Sequence, residues 1–341
     1  MKAKNRRIAY FATTGAVVLA ILTGATIAAK MQSANLDLLL GRGAQHVKDN
    51  GTLAADYIDF KFDSQDKALK NAQDMTQLTA EEGMTLLKND DCLPLAVDAN
   101  NIPTKGVTVL GYYSWHNNMS GGEDPNETSG AVSLAVGLKQ AYGAKYNMAT
   151  ETLYHPGGSA DNPLVTDQGR ANSGVGSDFA DPATSLASAE GTFADFPIAV
   201  ITLKRNSGEG NDQSLNAGAG EQNRSGLVIK NAELKLIDYA SKHFEKVIVV
   251  INSANAMELG WLQDNDPNMS PAGMYTDPYT GTAYDFSKVK AGIWAGCCGS
   301  QGGKALARIL TGEVNPSGHL VDINKVSIKQ FFWNEYCACF K

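Results

Sequence analysis

The sequence lacks the features that mark several classes of protein. Beyond its N-terminus it has no basic stretch, and its 36 acidic residues outnumber its 29 basic ones, for a net charge of −7. Binding to nucleic acid requires a basic surface, so that class is excluded. No repeat with a period of about 20 to 50 residues is present, so a repeat architecture is not expected.

Cysteine is scarce and unsuitably spaced for a metal site. Five cysteines are present, an odd number that cannot all pair within one chain, and no two of them form a CxxC element. Zinc sites commonly use such elements, so we expect no structural metal, and no motif calls for a cofactor. Cys297 and Cys298, beside a glycine turn, are expected to be small buried apolar residues.

The N-terminal segment is distinctive. Four basic residues precede a charge-free run from Ile8 to Ala29, which matches the roughly 20 residues needed to span a bilayer. The basic flank predicts a cytoplasmic N-terminus, a single-pass anchor over residues 1–30 in the cell membrane, and an extracellular body. A cleaved signal peptide and a secreted protein stay open, because Thr23-Gly24-Ala25 resembles a cleavage site.

The central part of the chain alternates between two patterns. Residues 31–70 read as a stalk, and Asn71 to Lys88 has apolar residues at helical spacing. Short apolar runs typical of buried strands then alternate with helical patterns. The predicted strands are 107–110, 198–203, 247–251 and 291–295, and the predicted helices are 132–142, 232–244, 256–262 and 302–311. This alternation predicts a doubly wound α/β fold with a mainly parallel sheet over residues 71–322.

One acidic residue stands out. Glu209 lies in Ser207-Gly208-Glu209-Gly210-Asn211-Asp212, directly after the predicted strand 198–203. The flanking glycines leave its carboxyl group unobstructed, and the carboxyl edge of an α/β sheet is where such folds gather ligands. Glu209 is therefore a candidate catalytic acid. The alternative is a solvated loop glutamate.

Several phrases together resemble one family. They are Ala80-Glu81-Glu82-Gly83-Met84-Thr85-Leu86-Leu87-Lys88-Asn89, the Glu209 segment, Gly299-Ser300-Gln301-Gly302-Gly303-Lys304, and Leu310-Thr311-Gly312-Glu313-Val314-Asn315-Pro316-Ser317-Gly318. Over residues 71–322 the chain resembles the C-terminal-type α/β-sandwich domain of glycoside hydrolase family 3, whose members are β-glucosidases and related enzymes. The resemblance implies a β-linked oligosaccharide or glycoside as substrate and Glu209 as general acid/base. It also implies a separate barrel domain that carries the nucleophilic aspartate.

Further residues are candidates for contacts to the sugar at the same edge of the sheet. They are Gly121, Gly122, Glu123, Arg205 and Asp212. Arg205 would orient a carboxylate, although a surface charge is the plainer interpretation. The aromatic residues between 112 and 116 could stack on a sugar or pack at the rim of the core.

A nucleotide site in the glycine loop 296–304 is disfavoured. Cys298 stands where a Walker motif needs its first glycine, and Ala305 stands where it needs a Ser or Thr. Close packing is the preferred explanation for these glycines.

The expected barrel has no counterpart in these 341 residues. Neither the stalk nor the tail 323–341 approaches the 200 or more residues that a barrel requires. We therefore expect a truncated member of inverted domain order, with little activity of its own. The composition of the tail suggests a frameshift, with a genuine unusual tail as the alternative. The other candidate function is a non-catalytic carbohydrate-binding or accessory module, or the remnant of a gene.

Overall fold

The structure is a computed structural model that describes residues 2–31, 62–117, 130–154, 181–205, 227–263 and 268–320. The chain divides into two units, Met1–Asp63 and Ser64–Lys341. In the first unit, helix α1 spans Lys2–Met31. Among the described residues, no helix has both the length and the apolar character needed to cross a membrane, so the predicted transmembrane helix is not supported.

The second unit contains all the other elements that the described residues form. Its helices are α2 (Gln65–Gly83), α3 (Leu134–Tyr142), α4 (Met148–Tyr154), α5 (Pro182–Leu186), α6 (Asn231–His243) and α7 (Gly302–Leu310). Its strands are β1 (Thr85–Asn89), β2 (Val107–Leu110), β3 (Ile198–Arg205), β4 (Lys246–Ser253), β5 (Met274–Thr276), β6 (Ala283–Asp285) and β7 (Val289–Trp294).

Five strands form one mainly parallel sheet, in the order β1-β7-β4-β3-β2. β2, β3, β4 and β7 run parallel to one another, and only the edge strand β1, which pairs with β7, is antiparallel. The four parallel strands are those predicted from the sequence, so the mainly parallel α/β fold is confirmed. We call the side on which Leu110, Arg205, Ser253 and Trp294 end these strands the carboxyl edge.

The central strands form the core. All eight residues of β3 are buried, as are all residues of β4 except the first. Burial of consecutive residues means that both faces of the sheet are covered, which explains why these strands read as continuous apolar runs. β3 and β4 pair in register from Ile198 opposite Lys246 to Arg205 opposite Ser253.

The predicted helix over 71–88 is displaced. Helix α2 begins after Ser64, whose hydroxyl accepts the N–H of Lys67, and ends at Gly83. The following residues form β1, which pairs with the otherwise open edge of β7. Backbone hydrogen bonds to that edge favour a strand more than the helical spacing of the leucines favours a helix.

The connection from β4 to β7 also differs from the prediction. Within 256–262 the structure has only a single 3-10 turn, Gly260–Leu262. A small antiparallel hairpin, β5 with β6, completes the connection. Its buried Tyr275 stacks on Phe286, with 5.4 Å between ring centroids.

Two glycines set the distance between helices α3 and α7. A methyl group added to Gly303 would lie 2.0 Å from the carbonyl oxygen of Ser133, and one added to Gly137 would lie 2.0 Å from the backbone of Gly303. Neither helix could approach this closely with a side chain in between. The structure therefore explains the glycine pair by packing.

Candidate active site at the carboxyl edge

The described residues include one member of the predicted site set. Arg205 is the last residue of β3. Five other predicted site residues lie outside the described residues: Glu209, Asp212, Gly121, Gly122 and Glu123. Since β3 ends at the carboxyl edge, the chain leaves that edge at Arg205 and enters the segment that carries Glu209.

Arg205 is buried and held in a bidentate ion pair. Its Nη1 donates to Oε1 of Glu233 at 2.6 Å and its Nη2 to Oε2 at 2.8 Å. The side chains of the two residues are 5% and 4% exposed. Arg205 is thus not a surface charge. It does orient a carboxylate, that of Glu233, while its proposed contact to a sugar stays a prediction.

Glu233 is a residue that sequence reasoning missed. It lies in the first turn of α6, and its Oε2 also accepts the backbone N–H of Lys230 at 2.7 Å. A carboxylate in this position satisfies one of the N–H groups that a helix start leaves without a partner. Part of the signal was available in the sequence, because acidic residues are enriched in the first turn of a helix and Glu233 stands at the start of the predicted helix 232–244.

The aromatic residues that follow β2 pack into the protein. Tyr112 stacks on His116 with 4.0 Å between ring centroids, and Trp115 stacks on Tyr154 with 4.7 Å. Tyr112, Trp115 and His116 are all buried. Of the two interpretations, packing at the rim of the core is therefore the one that the structure supports for these three residues.

A buried lysine contacts the same segment that follows β2. Lys204 is 7% exposed, and its Nζ donates to the carbonyl oxygen of His116 at 2.7 Å. The same Nζ lies 5.3 Å from the centroid of the Tyr113 ring, within the range of a cation–π interaction. These contacts fix the chain that leads from β2 toward residues 118–129.

The glycine loop at the end of β7 is tied to its neighbours by polar contacts. Asn252 Nδ2 donates to the carbonyl oxygen of Gly296 at 2.6 Å, and Asn117 Nδ2 donates to Sγ of Cys298 at 3.4 Å. The N–H of Gly303, at the start of α7, donates to the carbonyl of Val132 at 3.4 Å. This N–H is therefore engaged by the protein.

A pocket of about 300 Å³ lies at the opposite edge of the sheet. Its lining includes Ile198 and Lys246, the first residues of β3 and β4, together with Cys92. Burial raises the pKa of the Cys92 thiol, so the reactive thiolate form is disfavoured. This pocket lies at the edge of the sheet opposite to the one from which the predicted catalytic segment starts.

Within the described ranges, no three His, Cys, Asp or Glu side chains are grouped to hold a metal ion.

Comparison with known families assigns the chain to one of them. Residues 84–336 match the model of the glycosyl hydrolase family 3 C-terminal domain. The chain belongs to glycosyl hydrolase family 3. The match extends past Asp322, where we expected the family sequence to end.

Among its relatives in this family is β-glucosidase A from Butyrivibrio fibrisolvens, 28% identical over 260 residues, which cover 71% of this chain and 27% of the relative. β-Glucosidase 1 from Saccharomycopsis fibuligera is 25% identical over 254 residues, or 73% of this chain and 24% of the relative. The chain therefore spans about a quarter of the length of these relatives.

A solved structure shows the same fold. The β-glucosidase of Paenibacillus barengoltzii aligns with a TM-score of 0.52 and 21% identity, over 76% of this chain and 24% of that one. At this identity the likeness concerns the fold alone. The α/β architecture of this family 3 domain is thus shared with a β-glucosidase.

Proposed function

We propose that residues 84–336 are the C-terminal-type domain of a β-glucosidase-type glycoside hydrolase and that Glu209 is its general acid/base. The observation that carries the proposal is the family match over 84–336, which includes Glu209. The end of β3 at the carboxyl edge supports it, because the segment with Glu209 starts from the side of the sheet where such folds bind ligands. The β-glucosidase relatives suggest a β-linked glycoside as substrate.

The chemistry requires a second carboxyl group. A retaining glycosidase uses a proton donor and a nucleophilic carboxylate about 5–5.5 Å apart. Glu233, a buried acid in contact with the last residue of β3, is bound by Arg205 through both oxygens, which suits a structural carboxylate and not a nucleophile. We propose that the nucleophile comes from outside the family 3 C-terminal domain.

Glu209 must also be protonated when the sugar leaves. A glutamate is largely ionised at neutral pH unless an apolar or anionic neighbourhood raises its pKa. A cleft closed by a second domain supplies such a neighbourhood. For this reason we expect the 341-residue chain by itself to show little or no turnover.

The experiment measures hydrolysis of 4-nitrophenyl β-glucoside by the purified chain and by a chimera. In the chimera, residues 84–336 replace the matched segment of β-glucosidase A from Butyrivibrio fibrisolvens. We expect activity in the chimera only. Glu209→Gln should reduce it by about 100-fold or more, because 4-nitrophenolate leaves with little need of a proton but hydrolysis of the glycosyl-enzyme still needs Glu209 as general base.

The matched control is Glu245→Gln. Glu245 lies at the opposite edge of the sheet, with its side chain 55% exposed, and the substitution should leave turnover unchanged. Equal activity of the Glu209→Gln chimera and its parent would contradict the role of Glu209. Turnover by the chain alone, lost on Glu209→Gln, would show that one chain carries a complete site. Binding without turnover in the chimera would favour the non-catalytic carbohydrate-binding module.

We also propose that the body of the protein is exported, as its basic N-terminus and charge-free run predict. The test is protease accessibility of an epitope placed after residue 320 in intact cells. An inaccessible epitope would contradict export.

A further inference from the structure

The pocket of about 300 Å³ lies where the parallel strands β3 and β4 begin, and we call it the amino-edge pocket. Its volume is at the lower end of the range of about 300–1,000 Å³ that small-molecule sites occupy. The segment that follows β1 and the segment that precedes β2 form the rest of its lining. The size of the pocket therefore suits a small organic molecule.

Hydrogen bonds hold one wall of the pocket in place. The side-chain oxygen of Asn89, at the end of β1, accepts the N–H groups of Cys92 and Leu93 at 3.0 and 2.9 Å. The N–H of Leu95 donates to the carbonyl oxygen of Leu310 in α7 at 2.8 Å. Since this wall is already ordered, a ligand that binds against it has little conformational entropy of the protein to overcome.

The buried residues of the lining are apolar. Cys92, Leu95 and Ile198 are 2%, 4% and 5% exposed. The Cys92 thiol adds no charge to this surface, because burial keeps it protonated. An apolar group that lies against these three side chains leaves water, which favours binding.

One lysine places a positive charge beside this apolar surface. Lys246 is half-buried, and its Nζ donates to the backbone carbonyl oxygen of Asp91 at 3.2 Å. Among the residues that the structure describes, no carboxylate forms an ion pair with Lys246. Burial raises the pKa of the Cys92 thiol, and of the charges nearby Lys246 opposes this most strongly, so its field reaches the buried lining.

The other charges of the lining do not replace Lys246. Lys105 is paired with Glu245, and both side chains are 55% exposed. Asp91 is exposed to solvent, where its charge is screened. Lys246 is thus the cation that a ligand in the pocket meets next to the apolar surface.

We propose that the amino-edge pocket binds a small organic carboxylate. The carboxylate group accepts a hydrogen bond from the ammonium group of Lys246, and the apolar body of the ligand lies on Leu95 and Ile198. An ammonium group has three N–H donors, of which the carbonyl oxygen of Asp91 uses one. A charge-assisted hydrogen bond of this kind is stronger than one between neutral groups. This binding site is independent of the glycosidase reaction proposed above.

The test uses 4-fluorophenylacetate as the probe and follows its binding to the full chain by ¹⁹F NMR. We expect a Kd of about 1 mM, as is usual for a ligand of this size. The neutral analogue 4-fluorophenylacetamide should bind at least tenfold more weakly, because it lacks the charge. Inorganic phosphate at the same concentration, which has charge but no apolar body, should not displace the probe.

Three outcomes with the unaltered protein would overturn the proposal. Absence of binding would show that the pocket is not a site for carboxylates. Equal affinity for the carboxylate and the amide would remove the role of the Lys246 charge. Displacement of the probe by phosphate would remove the role of the apolar lining.

Variants locate the probe in the pocket. Lys246→Gln should weaken binding about tenfold. The matched control is Lys70→Gln on α2, because Lys70 is a surface lysine with its side chain 74% exposed, and the Kd should not change. Ala96→Trp puts a large side chain at an exposed position of the lining and should abolish binding.

An unchanged Kd in Lys246→Gln or in Ala96→Trp would overturn the proposal, as would an equal loss in Lys70→Gln. Far-UV circular dichroism establishes that each variant is folded. If Lys246→Gln does not fold, Ala96→Trp and the comparison of carboxylate with amide decide.

Discussion

Replacing Gly303 by alanine should separate helices α3 and α7. The added methyl carbon would lie 2.0 Å from the carbonyl oxygen of Ser133 and 3.1 Å from the Cα of Gly137. The Ser133 carbonyl cannot retreat freely, because it accepts the N–H of Gly137 at 2.9 Å, and the Ser133 hydroxyl caps α3 by accepting the N–H of Val136. The backbones must therefore move apart at a fully packed contact.

The size of the effect follows from two opposing terms. Overpacking a well-packed site typically costs about 1–3 kcal/mol, and here the clash is with backbone, which places it toward the upper end. Alanine is favoured over glycine within a helix by about 0.5–1 kcal/mol. We therefore expect the free energy of unfolding to fall by about 2 kcal/mol.

Gly83 provides the matched control. It ends helix α2, and a methyl group added to it would meet no atom within 4 Å. Gly83→Ala should therefore be neutral or stabilise the protein by about 0.5 kcal/mol, through the entropy of the unfolded chain.

The assay is urea unfolding followed by tryptophan fluorescence, with ΔΔG taken from the shift in midpoint at constant m-value. A Gly303→Ala protein within about 0.5 kcal/mol of the Gly83→Ala protein would refute the close approach of α3 and α7. An altered m-value would mean that the two-state comparison does not hold.

Other consequences follow from buried polar groups. Tyr142→Phe removes the hydrogen bond from the buried phenol to the carbonyl oxygen of Ala307 (2.9 Å), so we expect a loss of about 1 kcal/mol in urea unfolding. Cys297 is exposed and not buried as the sequence predicted, so iodoacetamide at pH 7.5 should modify it, while the buried Cys92 and Cys298 react only on unfolding; peptide mass spectrometry distinguishes them. Burial raises the pKa of Cys298 from 9.0 to about 12. Between these pH values the unfolded thiol loses its proton while the folded thiol keeps it, so stability should fall as pH rises, and less steeply in Cys298→Ala. Equal pH profiles for the two proteins would contradict the burial of this thiol.

The parallel strands could be predicted from the sequence because each is buried on both faces. A strand in that position must be apolar at consecutive residues, and the pattern is complete within a few residues of chain. The same local argument placed Glu209 after β3, and the order of motifs identified the family. No knowledge of distant contacts was needed for these conclusions.

Other features depended on which segments meet in three dimensions. The residues of β1 carry leucines that fit a helix, and they form a strand because the edge of β7 offers hydrogen-bonding groups that another segment must satisfy. The partner of Arg205 is 28 residues away in the chain, so nothing near Arg205 in the sequence distinguishes a surface charge from a buried ion pair. The fold decides this question, because burying an arginine is tolerable only where a carboxylate and carbonyl groups converge on it.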